Sequence, residues 1–298
     1  MPPAVTAANG EVRPLETPSG KGAGDENFPV GSLLISRELR PQVVSYYAFA
    51  RAIDDIADNP GLAADEKIER LTRFAEAIHG GHAGDPSLAK AEACRAALLL
   101  RGVPLRHASD LTVAFVQDAR QNRYADWQDL LGYCENSANP VGRFLLALHG
   151  TEAAAAYAAS DALCTALQVI NHLQDCGDDY RTLDRVYLPQ DWIAAEAAAS
   201  EELGAAALSP GLRCVLDRCL DATDMLLNEA KRLPAMLPSR RLALEAATIY
   251  RLARRLTAAL RARDPLAERV AFGKGAMLLA GLGAVGAMFL GYGEGSRT

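Results

Sequence analysis

Two acidic runs interrupt segments that otherwise read as buried apolar helices: Asp54-Asp55-Ile56-Ala57-Asp58, and Asn171-His172-Leu173-Gln174-Asp175-Cys176-Gly177-Asp178-Asp179. Asp54 and Asp58 are four residues apart, as are Asn171, Asp175 and Asp179, so each set projects from one helical face. Like charges at that spacing destabilise a bare helix by roughly 0.2–0.5 kcal/mol per pair. One such pair alone reads as readily as a solvated helix face. Two of them on apolar helices make sense when a cation neutralises both. The chain is therefore expected to bring two helices face to face across a cavity, gripping divalent metal between them.

The rest of the sequence is helical in pattern. No stretch alternates apolar and polar residues with period two, and no repeat of fixed period occurs. Half of the 298 residues are hydrophobic, few are aromatic, and Ala, Leu and Arg recur, a mixture that favours helices. Residues 1–25 carry Pro, Gly, Ala and Thr without periodicity and read as a disordered tail, with one all-α domain over 26–292. Pro41 suits the first turn of a helix that runs into the first acidic run and stops at Asn59, Pro60 and Gly61. Further helices are expected at about 64–79, 87–101, 105–123, 127–149 and 152–179, the 127–149 helix bent or broken at Asn139-Pro140. A loop from Tyr180 to Leu188 follows, then a short helix opened by Pro189, and long helices at about 210–233 and 239–263. Gly275 to Gly293 is uncharged and apolar for 19 residues, and reads as a final core helix or a membrane-touching one rather than a true span. Its GxGxxG (Gly281, Gly283, Gly286) follows no strand and is accidental.

A net charge of −6 and the lack of a basic block with interleaved aromatics exclude a non-specific nucleic-acid binder. Six cysteines form no CxxC pair and no metal spacing with histidine, and most fall in apolar helical stretches. Reduced, packed thiols in the cytoplasm are expected, without zinc, and no secretory signal is visible. His79, His82, His107 and His149 have no partner spacing, and His172, whose direction differs from that of Asp175, reads as a packed or solvent-facing imidazole rather than a ligand.

Asp and Asn oxygens are hard ligands, and a loose set spread over two helices suits Mg²⁺, which keeps several waters and binds through substrate phosphates. Such a cluster would hold a diphosphate and neutralise charge as it leaves. Arg51, one turn before Asp54, and Arg185, just past the second run, have the forked geometry that fits phosphate oxygens. Arg185 could equally pair with Asp184 or Asp178 at the surface. Loss of diphosphate from an apolar substrate leaves a carbocation, which aromatic faces stabilise without reacting. Tyr46, Tyr47 and Phe49 sit on the helix of the first run, for that role or as plain core.

These segments resemble the squalene/phytoene synthases. The matching stretches are Tyr47 to Asp58, with Arg51 between, Arg123-Tyr124 leading to Gly132-Tyr133-Cys134, Leu167-Gln168 through Asp179, and Arg185-Val186-Tyr187-Leu188-Pro189. The resemblance spans about residues 26–275 and implies a single-domain isoprenoid-synthase bundle around a central apolar cavity, with Mg²⁺ at its mouth. It implies metal ligation by Asp54, Asp58, Asn171, Asp175 and Asp179, diphosphate contacts from Arg51, Gln168, Arg185 and Arg269, and Tyr47, Tyr133 and Tyr250 against the reacting carbons. Where the family usually carries Val-Ala-Gly-x-Val-Gly, this chain has Ser137-Ala138-Asn139-Pro140-Val141-Gly142. That stretch and the opening Glu26-Asn27-Phe28-Pro29-Val30 are similar to the hydroxysqualene synthase branch of bacterial hopanoid pathways. The branch implies ionisation of presqualene diphosphate and capture of the cation by water, which the polar Ser137–Pro140 turn would be placed to hold. A head-to-head prenyltransferase making presqualene diphosphate, squalene or phytoene would use the same metal site. A non-catalytic assembly factor of the same fold would have lost the aspartates. No second domain for a nicotinamide is apparent, so hydride reduction is expected to belong to a different protein. Expected partners are the prenyl diphosphate, other squalene-pathway enzymes and, peripherally, a membrane.

Overall fold

A computed structural model describes Leu15 and residues 35–271. Among the described residues the regular elements are helices, accompanied by one isolated parallel bridge between Arg123 and Val186. They are α1 (Arg40–Ala57), α2 (Ala64–Ile78), α3 (Ala89–Leu100), α4 (Arg106–Asp118), α5 (Trp127–Ser137), α6 (Asn139–Leu148), α7 (Ala154–Leu183), α8 (Gln190–Ala195), α9 (Pro210–Ala230), α10 (Leu233–Met236) and α11 (Arg240–Ala262). The expected tail over 1–25, apart from Leu15, and the apolar segment Gly275–Gly293 lie outside the described residues. No described helix is long and apolar enough to cross a membrane.

Local chemistry sets most boundaries. Side chains of Asp126, Ser209 and Ser239 accept from the backbone N–H of Asp129, Leu212 and Leu242, capping α5, α9 and α11. The expected break at Asn139-Pro140 separates α5 from α6, because Pro140 has no N–H to give and its ring crowds the preceding turn. Two boundaries differ from the sequence reading. The helix expected over 105–123 ends at Asp118, and the chain then runs extended beside 186–191, with Val186 N–H donating to Asn122 O and Gln190 N–H to Tyr124 O, both at 2.9 Å. The helix expected to stop at Asp179 continues to Leu183, held by Thr182 Oγ1 on Asp178 O (2.7 Å) and an Arg181–Asp178 ion pair. Asp184 closes it in the left-handed region (φ 51°), which Asp tolerates better than most residues.

Two buried apolar clusters form. One joins α1 to α4 through Phe49, Ile53, Phe74 and Leu111, and the other joins α5, α7, α9 and α11 through Leu130, Val169, Leu216 and Leu256. Helix α6 serves both, giving Phe144 and Leu148 to the first and Leu146 to the second. Helix α1 packs on α2, α3 and α4, while α7 packs on α6, α9 and α11, so α4 and α6 stand between the two acidic helices. All six cysteines are free.

The α6–α7 contact depends on Gly142. A Cβ there would overlap Ser160 Oγ and lie 2.6 Å from Cys164 Sγ, short stiff side chains on the facing helix. Gly142→Ala is expected to cost about 1–3 kcal/mol, the usual penalty of overpacking, read from the urea midpoint.

His107, 1% exposed, has no hydrogen-bond partner for either ring nitrogen among the described residues, and burial, helped by Arg106 and Arg143, holds it down to about 4. Its folded value lies below its unfolded one, so the stability it contributes is complete above about pH 6.5 and is lost as pH falls toward 4. Between pH 7 and 4.5, His107→Leu is expected to lose less stability than the wild type, by up to about 2–3 kcal/mol in urea titrations.

Candidate functional site

Arg185 ties the two acidic runs together. Its backbone N–H donates to Asp179 O at 3.2 Å, as the chain turns back from the end of α7. Its guanidinium donates to Asp58 Oδ1 at 2.6 Å and reaches Ala57 O at 3.4 Å. The end of α1 and the end of α7 are thus joined through one residue, itself only 7% exposed. The surface pairing considered for Arg185 is not what forms: Asp184 pairs with Arg123 and Asp178 with Arg181.

The carboxylates of the two runs act on one another electrostatically. Burial raises Asp179 to about 7, assisted by Asp175 and Asp58 and opposed by Arg185. The influence of Asp58 on Asp179 puts the first run within electrostatic reach of the second. Asp54, Asp58, Asn171 and Asp179 are half-buried and Asp175 is exposed, so the set remains open to solvent. Asp55 is turned inward at 9% exposure, where Arg51 Nη2 meets its Oδ1 at 2.8 Å while Arg51 Nη1 approaches Asp54 Oδ2 at 3.1 Å. A charged cleft of about 380 Å³ opens beside this arrangement, its walls including Asp58, Lys67, Asp118, Arg181, Asp184 and Arg185.

A buried polar network extends inward from Arg185. Asp118, at the end of α4, accepts from Tyr133 Oη at 2.8 Å and from Tyr187 Oη at 3.4 Å. Burial raises Asp118 to about 6 against the pull of Arg185 and Tyr133. The Tyr187 ring stacks on His172 at 3.5 Å, and the Tyr133 ring lies 5.9 Å from that of His172. His172 is held down to about 3 by burial, then by Arg185, so it stays neutral. Sequence reasoning gives no role to Asp118 or Tyr187, and takes His172 as a packed or solvent-facing imidazole rather than a ligand, of which the packed form is what occurs. The signal for Asp118 was its phase: Leu111, Ala114 and Asp118 share the buried face of α4.

The remaining expected residues are distributed around this centre. Tyr133 is 3% exposed inside the network, and the Gln168 amide lies 3.2 Å from His172 Nε2. Tyr47 is half-buried on α1, and Tyr250 half-buried on α11 at the edge of the larger core. Arg269 is exposed beside Val270, whose carbonyl accepts from Gln174 Nε2, and no hydrogen bond or ion pair among the described residues joins its guanidinium to either run. Tyr46 and Phe49 are core, not cavity wall: Tyr46 donates to His107 O at 2.6 Å and stacks on Phe144 at 4.0 Å, and Phe49 packs on Phe74.

The donor set fits Mg²⁺. Asp54, Asp58, Asn171, Asp175 and Asp179 offer oxygen ligands, and beyond the burial that chiefly raises Asp179, Asp175 and Asp58 add negative charge around it that a cation would offset. Among the described residues no three His, Cys, Asp or Glu side chains already close into a coordination shell. Mg²⁺ takes one or two carboxylates and fills its other positions with water and phosphate oxygens.

The squalene/phytoene synthase family profile matches residues 22–275. A hydroxysqualene synthase of Rhodopseudomonas palustris is 45% identical over 255 residues, 86% of each chain. Another, of Zymomonas mobilis, is 42% identical over 274 residues, 91% of each chain. The crystal structure of a squalene synthase from Alicyclobacillus acidocaldarius superposes with a TM-score of 0.70 at 32% identity, over 78% of this chain and 87% of that one. A dehydrosqualene synthase, at 18% identity, shares the fold with a TM-score of 0.75 over 88% and 91% of the two chains.

Proposed function

The chain belongs to the squalene/phytoene synthase family, and from that premise we propose that it is a hydroxysqualene synthase, converting presqualene diphosphate and water to hydroxysqualene and diphosphate. The observation that carries the chemistry is the double tie of Arg185, to Asp58 by its side chain and to Asp179 by its backbone. The relatives at 42–45% identity support the choice of reaction within the family.

In this reading Asp54 and Asp58 hold Mg²⁺ from one side, and Asn171, Asp175 and Asp179 from the other. When bound, the metal supplies positive charge that neutralises the diphosphate as its bond to carbon breaks. Arg51 and Arg185 bring guanidinium charge to the same rim, with Gln168 and Arg269 as further diphosphate contacts. Tyr47, Tyr133 and Tyr250 turn ring faces toward the carbocation. Tyr133 keeps its own proton, because burial raises it far above its ordinary value and Asp118 accepts from it. The catalytic unit is residues 26–292, working in the cytoplasm or against a membrane that carries so apolar a substrate, beside the enzymes that make it.

Incubation with presqualene diphosphate and Mg²⁺, without a nicotinamide, is expected to yield a C30 alcohol and diphosphate. A chelator should stop turnover, and added Mg²⁺ should restore it. Condensation of farnesyl diphosphate, with no action on presqualene diphosphate, would replace this reading with a transferase.

A further inference from the structure

The reaction proposed above consumes one water inside a pocket that has to be dry everywhere else, because a carbocation is captured by any water it meets. That water needs a fixed anchor. Ser137 Oγ is buried with no hydrogen-bond partner among the described residues. An unsatisfied buried hydroxyl costs about 1–3 kcal/mol, so an apolar residue would be the cheaper choice if packing were its task. Groups of this kind are where ordered waters sit in folded proteins.

The surroundings of Ser137 point the same way. It ends α5, four residues after Tyr133, so the two share a helical face. Across the Ala138 joint, Asn139 opens α6 at 4% exposure, its Oδ1 accepting from Thr165 Oγ1 on α7 at 3.0 Å. Thr165, Gln168, His172, Asp175 and Asp179 follow one another at intervals of three and four, a single stripe along α7. The Tyr133 ring already meets that stripe at His172. Thr165 precedes Asn171 by six residues, about 9 Å along the helix axis, a short distance against the length of a C30 chain. The α5–α6 joint therefore presents polar groups on the line that leads to the second acidic run.

We propose that Ser137 is the positioning residue for the water that becomes the product hydroxyl, with the Asn139 amide, fixed by Thr165, as its second anchor. This rests on the hydroxysqualene synthase reading. The carbon–oxygen bond to diphosphate breaks with both electrons leaving on the diphosphate oxygen. The cyclopropylcarbinyl cation left behind rearranges, and a carbon–carbon bond of its three-membered ring breaks, its electron pair becoming a carbon–carbon double bond to the former cationic carbon. A lone pair of the anchored water forms the new carbon–oxygen bond at the ring carbon so released, and the surplus proton on that oxygen passes to the departing diphosphate. Without the anchor, the cation loses a proton from a neighbouring carbon and ends as a polyene hydrocarbon.

The test compares wild type, Ser137→Ala and Ser137→Thr on presqualene diphosphate with Mg²⁺, following diphosphate release and product composition separately. Ser137→Ala is expected to keep its thermal midpoint and its diphosphate release, while the ratio of alcohol to hydrocarbon falls about tenfold, the effect of one lost neutral hydrogen bond. Ser137→Thr, which keeps the hydroxyl, is expected to restore the alcohol. Should the alanine variant fail to fold, Ser137→Cys carries the same product measurement. An unchanged alcohol share in a folded variant without the hydroxyl overturns the anchor, as does a uniform loss of release with unchanged products. A wild type that releases no diphosphate from this substrate overturns the reaction and the anchor together.

Discussion

Asp175→Asn is expected to lower diphosphate release from presqualene diphosphate by about 10²–10³-fold, the cost of removing one preorganised charge from a site that stabilises a leaving group. The substitution keeps shape and removes only charge. Asp175 is exposed on α7, so no buried packing is disturbed and the far-ultraviolet circular dichroism should match the wild type. Asp175 is also the neighbour that most raises Asp179, after burial itself. Its neutralisation should therefore lower Asp179 toward the ordinary carboxylate range, a shift that carboxyl-resolved titration by NMR would register. Activity within about threefold of wild type would mean that this carboxylate touches neither metal nor diphosphate, given what such charges contribute elsewhere.

Arg185→Met is expected to reduce folding stability by about 3 kcal/mol, the lower end of what breaking a buried ion pair costs. The lower end applies because the Asp58 side chain is 38% exposed and regains water when its partner goes. Asp118 does not, at 8% exposure with two tyrosine hydroxyls on it and Arg185 the leading influence holding its carboxylate down. An acid whose folded value lies above its unfolded one loses stability as pH rises from the unfolded value through the folded one. Removing Arg185 raises Asp118 further and extends that window upward. The deficit in urea titrations should thus be larger at pH 8 than at pH 5, and Asp118→Asn added to Arg185→Met should recover part of it. A deficit that does not depend on pH would separate Arg185 from Asp118.

Much of this was legible in the sequence because the governing interactions are local. Pro140 breaks α5 from α6 by its missing N–H, and the i, i+4 spacing of each acidic run fixes its face without reference to any other element. Arg185 was less legible. Its near neighbours Asp178 and Asp184 offered a surface pairing, whereas the partner it takes, Asp58, lies 127 residues away and is brought near only by the fold. Asp118 was hidden for the opposite reason. A single carboxylate ending an amphipathic helix carries no motif, and only the fold shows Tyr133 and Tyr187 meeting on it from two other segments. Tyr46 and Phe49 show the limit of composition: aromatic content on the right helix did not tell which side faced the core.

The account stands on Asp58 and Asp179 forming one divalent-cation and diphosphate site across α1 and α7. Calorimetric titration of inorganic diphosphate into the full chain, with and without Mg²⁺, for wild type, Asp58→Asn, Asp179→Asn and the double variant, tests this directly. Binding is expected to require Mg²⁺, to weaken sharply in each single variant, and to weaken less than additively in the double one, as residues acting on one cluster do. Binding that ignores Mg²⁺, or that loses strength with only one of the two aspartates, would contradict it.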